Sequence, residues 1–131
     1  MSNRLFTDDN RDFTIYGLSY KNKESAIKSI EKIDRVLDTI ASSIELNTCS
    51  PDFIRPVYHI CTRKQLDKYI LIQKMYRVLA LNNRAKVLYN RTGNNNIKEA
   101  IDIFSLWLKQ YKNLILKLKQ VQLIKCNNHN E

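Results

Sequence analysis

NIKEAIDIFSLWLKQYKNLILKL, residues 96–118, sets Ile97, Ile101, Phe104, Leu108, Tyr111, Ile115 and Leu118 at alternating steps of four and three. Those steps keep an apolar stripe on one side of a helix and form a heptad seam. A second row, Ala100, Trp107, Leu114 and Val121, lies beside the first and lets the helix face more than one neighbour. Asn96 and Glu99 stand at capping-box spacing, with Asn in place of the usual Ser or Thr. A helix is therefore expected over 96–125. At 1.5 Å per residue it would span on the order of 45 Å, longer than a compact domain of this size needs. Its end, with Leu114, Leu118 and Val121, is the candidate surface for a protein partner or a second copy of the chain.

Outward from this segment the pattern repeats. Ala26, Ile27, Ile30, Ile33, Leu37, Ile40, Ala41 and Ile44 recur at steps of three and four after Asn22, a residue suited to cap the first turn, so a helix is expected over 23–45. Asn47 to Pro56 holds Pro51 and Pro56 and reads as a connection. A further helix is expected over 62–91, with Asn82-Asn83 a weak point in its middle. Thr92-Gly93-Asn94-Asn95-Asn96 is the clearest turn, since Gly and Asn tolerate left-handed backbone. Residues 1–21 show no helical period and are read as an arm docked on the core, and 126–131 as a frayed tail. The fold expected is all-α: one domain, a bundle of three or four helices. Its core would come from Ile27, Ile30, Leu37, Met75, Leu79, Ile101, Phe104, Trp107, Leu108 and Ile115.

Composition agrees. The 131 residues include only two glycines and two prolines, too few for the tight turns of a hairpin-rich sheet. They also allow no phosphate-cradling glycine loop, GxSxG elbow or dinucleotide fingerprint. Glu24, Glu31, Asp34 and Asp38 alternate with Lys28, Lys32 and Arg35, as on a solvated face. No catalytic residue is assigned, and an enzyme is not expected. The opening residues lack an apolar stretch, and Tyr69 to Leu81 is cut by Gln73, Lys74 and Arg77, so neither a signal peptide nor a membrane span is expected. Cys49, Cys61 and Cys126 form no CxxC pair and leave one over, which points to free thiols and a reducing, intracellular setting. His59, Cys61, Cys126 and His129 could in principle surround a zinc ion, but His59 and Cys61 are one residue apart rather than at knuckle spacing. No metal and no cofactor are expected.

Charge is unevenly spread. Residues 1–61 carry eight Lys/Arg against nine Asp/Glu, whereas residues 62–131 carry fourteen against four, within a net charge of +9. A basic half suggests an anionic partner, although fourteen lysines and fourteen asparagines are also what an AT-rich genome writes. Lys74, Arg77, Arg84 and Arg91 follow one another at steps of three, seven and seven, as if along one helix face, with Lys86 and Tyr89 on the flanks. Such a stripe suits a phosphate backbone, with Tyr89 or Tyr76 able to stack on a base. The expected partner is nucleic acid, bound through Lys74, Arg77, Arg84, Lys86, Tyr89 and Arg91 with little sequence preference.

Two stretches, YGLSYKNKESAIKSI from Tyr16 to Ile30 and NRAKVLYNRTGNNNIKEAIDIFSLWLKQY from Asn83 to Tyr111, resemble a family of small uncharacterised helical proteins of large DNA viruses that infect algae and protists. Arg84-Ala85-Lys86 and the helix through Ala100, Ile103, Phe104, Trp107 and Leu108 carry the resemblance. The chain departs from it in a longer, proline-containing connection, in an extension after Tyr111, and in Leu88, where a polar residue is expected. The resemblance implies a viral, non-catalytic helical protein acting in the host cytoplasm or nucleus or in the virion.

Overall fold

A computed structural model of the chain describes residues 15–44, 46 and 58–125. The described chain is mostly helical, with α1 at Lys23–Ser42, α2 at Arg63–Thr92 and α3 at Asn95–Lys117. Each helix packs against the other two. Two short strands, β1 (Tyr58–His59) and β2 (Ile124–Lys125), pair antiparallel, Tyr58 opposite Lys125 and His59 opposite Ile124. No helix among the described residues is long and apolar enough to cross a membrane.

Local chemistry sets the helix ends. Asn22 Oδ1 accepts from the Ser25 amide at 2.8 Å and starts α1. At α2, Thr62 Oγ1 accepts from the Gln65 amide at 3.1 Å while Gln65 Oε1 accepts from the Thr62 amide at 3.2 Å. This reciprocal pair satisfies two amides that a first turn otherwise leaves open. Gly93, at φ +67, closes α2 in the left-handed region that glycine enters without strain. The cap of α3 is Asn94, whose Oδ1 accepts from the Asn96 amide at 2.8 Å, two residues before the Asn96 start expected.

α2 is the central element. Leu66, Tyr69, Ile70, Val78, Leu81 and Ala85 from α2 meet Ala26, Ile30, Ile33 and Leu37 from α1 and Ile97, Ala100, Ile101, Phe104 and Trp107 from α3. Ala26, Ala85 and Ala100 are fully buried, and their small side chains let the helix axes approach closely. Ile27 and Leu79, expected in the core, are instead 38% and 40% exposed, and Met75 and Ile115 are half-buried. The shift on α2 has a clear cause. A helix gripped from two sides buries an arc too wide for one apolar row, and Gln73, Lys74, Arg77 and Asn82 lie inside that arc. α2 runs unbroken through Asn82-Asn83, because Asn82 is buried and its Nδ2 donates to Ser105 Oγ on α3 at 3.4 Å.

α3 differs from expectation at its far end. Its 23 residues give about 35 Å rather than 45 Å, and burial along the seam fades after Phe104. The chain then turns at Leu118 to Val121 and runs back beside the start of α2, where Gln65 Nε2 donates to the Gln122 carbonyl at 3.1 Å and Lys68 Nζ to the Val121 carbonyl at 2.7 Å. The overlong helix that was to seek a partner is therefore absent. Before α1, Ile15, Leu18 and Tyr20 pack on the core. Ser29 Oγ accepts from the Ser19 amide at 2.7 Å and donates to the Ser19 carbonyl at 2.9 Å, tying this segment to α1. The expected connection at 47–56 and the tail at 126–131 lie outside the described residues.

Candidate nucleic-acid interface

Lys74 and Arg77, the first two positions of the basic stripe, are buried: their residues are 6% and 2% exposed. Both lie in the middle of α2, which α1 and α3 grip from two sides; rotation alone does not separate them from Arg84, since a step of seven turns the row by only about 20°. Lys74 and Arg77 are thus not phosphate ligands on an open face, which corrects their assignment.

Lys74 Nζ instead bridges two carboxylates of α1, Asp38 Oδ1 at 2.9 Å and Asp34 Oδ1 at 3.2 Å. These aspartates, expected to sit on a solvated face, are partners across helices. Burial opposes the Lys74 charge, but the hydrogen bond to Asp38 and the attraction of Asp34 outweigh it and hold the ammonium above the ordinary lysine range. Tyr111 Oη donates to Asp34 Oδ1 at 3.5 Å, and its ring stacks on Trp107 with centroids 3.7 Å apart. Burial first, then Asp34, raises the Tyr111 phenol. Arg77 donates to Gln73 Oε1 at 3.3 Å and to the Gln73 carbonyl at 3.4 Å, and burial pushes its guanidinium down to about 10.

These shifts have opposite signs in stability. Tyr111 and Lys74 keep protons in the fold that the unfolded chain releases from about pH 10 upward, so their contribution is complete below that pH and is lost as pH rises. Arg77 loses its proton earlier in the fold than in the unfolded chain, so above about pH 10 it works the other way. Urea melts at pH 9 and pH 11 are expected to show that the midpoint of Tyr111→Phe, which keeps the ring stacked on Trp107, shifts less towards instability than that of the parent chain. An equal shift in both proteins would show that the phenol does not contribute.

The emerging end of the stripe carries the remaining basic residues. Arg84 is half-buried, and Lys86 and Arg91 are exposed. Arg84 and Arg91 stand with Tyr20, Asn83, Val87 and Leu88 around an open groove of about 340 Å³. Val87 is 56% exposed, while Leu88 rests on the core. Tyr89 does not line the groove and is partly buried against the core, which corrects its assignment as a free stacking platform. Tyr20, from the segment before α1, lines the groove although it too is partly buried, and only its contact with α2 reveals it. At the start of α2, Arg63 pairs with Asp67 at 3.4 Å and Lys68 is occupied by the Val121 carbonyl, while Lys64 is exposed. On α3, Leu114 is 40% exposed, and Leu118 and Val121 are half-buried.

Cys61 is disulfide-bonded, with its partner sulfur outside the described residues. Cysteine usage therefore no longer points to the reducing compartment expected. A bonded Cys61 offers no thiolate to the four-residue zinc set. Cys126 and His129 of that set lie outside the described residues, and no group of three or more metal-binding side chains occurs among the described ones. Comparison of the chain with protein-family models, characterised proteins and solved structures found no match.

Proposed function

We propose that the chain is a non-enzymatic viral accessory protein that binds nucleic acid with little sequence preference, through the C-terminal end of α2. The observation that carries this reading is the convergence of Arg84 and Arg91 on one open groove, with Lys86 exposed nearby, in a half of the chain holding fourteen basic residues against four acidic ones. Guanidinium groups suit phosphate oxygens, which they can hold through paired N–H donors. The interface is smaller than a stripe along the whole helix would provide. About three phosphate contacts imply a log–log salt slope near −2 to −3. The scaffold is taken as a three-helix bundle. Among the settings open to a viral protein, the virion is the one that suits a disulfide at Cys61.

The deciding experiment is a gel-shift titration at low salt. Arg84→Ala with Arg91→Ala should weaken binding to all sequences alike and flatten the salt slope by about 1.5 to 2, since phosphate contacts position without specifying. No binding at micromolar protein, or binding unchanged in the double variant, would leave a second reading ahead. That reading is a helical protein-interaction or virion-packing module acting through Leu114, Leu118 and Val121. It draws support from Leu106, Leu114 and Leu116, which are large apolar side chains exposed on α3.

A further inference from the structure

The groove at Tyr20, Asn83, Arg84, Val87, Leu88 and Arg91 has walls of two kinds, and their combination narrows the ligand. Its interior is mostly apolar, and its lining combines Val87, Leu88 and Tyr20 with the polar residues Asn83, Arg84 and Arg91. Resting on the nucleic-acid reading above, we infer that this groove seats an unpaired base, and that the ligand is single-stranded nucleic acid rather than duplex.

A duplex keeps its bases stacked inside and offers a protein only phosphates, sugars and base edges. The apolar groups it presents are small, such as the thymine methyl in the major groove, and no base face is free to fill an apolar slot. A single strand exposes flat apolar base faces on an anionic chain, which matches an apolar interior with cationic walls. Arg84 and Arg91 are seven residues apart on one helix, about 10 Å along its axis. They can therefore reach phosphates on either side of a base held between them. Asn83 carries both donor and acceptor atoms for a base edge without favouring one base. The groove also stands ready before any ligand arrives, because the segment bearing Tyr20 is fixed to α1 by the paired Ser19–Ser29 hydrogen bonds. A preformed site spares the ligand the cost of ordering it.

Fluorescence anisotropy with a labelled oligothymidine of about twenty nucleotides, and with a mixed-sequence duplex of the same length in the same low-salt buffer, tests the inference. The single strand is expected to bind at least about tenfold more tightly. Val87→Gln, at an exposed helical position where glutamine is well tolerated, should place a polar group in the slot and lower single-strand affinity about tenfold while changing duplex affinity less than about twofold. Tyr20→Ala, checked for folding by circular dichroism, should do the same. Equal affinity for both ligands, or equal losses for both in the groove variants, would overturn the single-strand inference and leave phosphate binding standing. Failure of both ligands to bind would remove the nucleic-acid reading together with it.

Discussion

Reducing the native protein is expected to lower its unfolding free energy by about 3 to 4 kcal/mol and its melting temperature by about 10 to 20 °C. Cys61 sits at a junction: Ile60 before it is fully buried, Thr62 after it caps α2, and its own amide donates to Gln65 Oε1 at 2.8 Å. A bond from this point to another cysteine closes a loop in the unfolded chain and removes conformations it would otherwise visit. The benefit grows only slowly with loop length, so a short loop to Cys49 and a long one to Cys126 both fall in that range. Calorimetry with and without a phosphine reductant measures the shift. Thiol titration in denaturant without reductant should find one reactive sulfhydryl among the three cysteines. Three reactive thiols, or a melting curve indifferent to reductant, would refute the bond.

Replacing Asp34 and Asp38 together with asparagine is expected to cost about 2 to 3 kcal/mol, whereas Lys74→Met should cost less than about 1 kcal/mol. The asymmetry follows from burial. The Lys74 side chain is 8% exposed, while Asp34 and Asp38 are 34% and 66% exposed. Without its carboxylates the ammonium is a buried charge with two weaker partners. Without the lysine the two carboxylates stay largely in water, and a methionine of similar length fills the space. The cost stays below that of a wholly buried pair because water already screens the aspartates. Urea denaturation of the two variants compares them directly, and a larger loss for Lys74→Met than for the double asparagine change would reverse the account.

The elements that were legible in the sequence are those held by local rules. The residues that cap α1 and the turn at Gly93 stand in the sequence because each depends on atoms a few positions away. The burial of Lys74 and Arg77 was not legible, since steps of seven turn a row by only about 20° each and keep Arg77, Arg84 and Arg91 within about 40° of one another. What gave no sign was which side of α2 would meet α1, and hence that Asp34 and Asp38 would face Lys74.

By itself, the sequence determined the helical class, the N-cap of α1, the turn before α3 and the basic weight of the second half, for these depend on spacing, backbone freedom and composition. Only the tertiary structure decided which charges reach solvent. Helix packing buries a wide arc of α2, turning Lys74 and Arg77 inward, half-burying Arg84 and leaving Lys86 and Arg91 exposed. The structure also ended α3 at Lys117, because the returning chain is tied down by Gln65 and Lys68 on α2. It brought Tyr20 beside Val87 and Arg91 as well. Contacts between residues so far apart in the chain leave no periodic trace in it, since they are fixed by how the helices pack and not by any one helix.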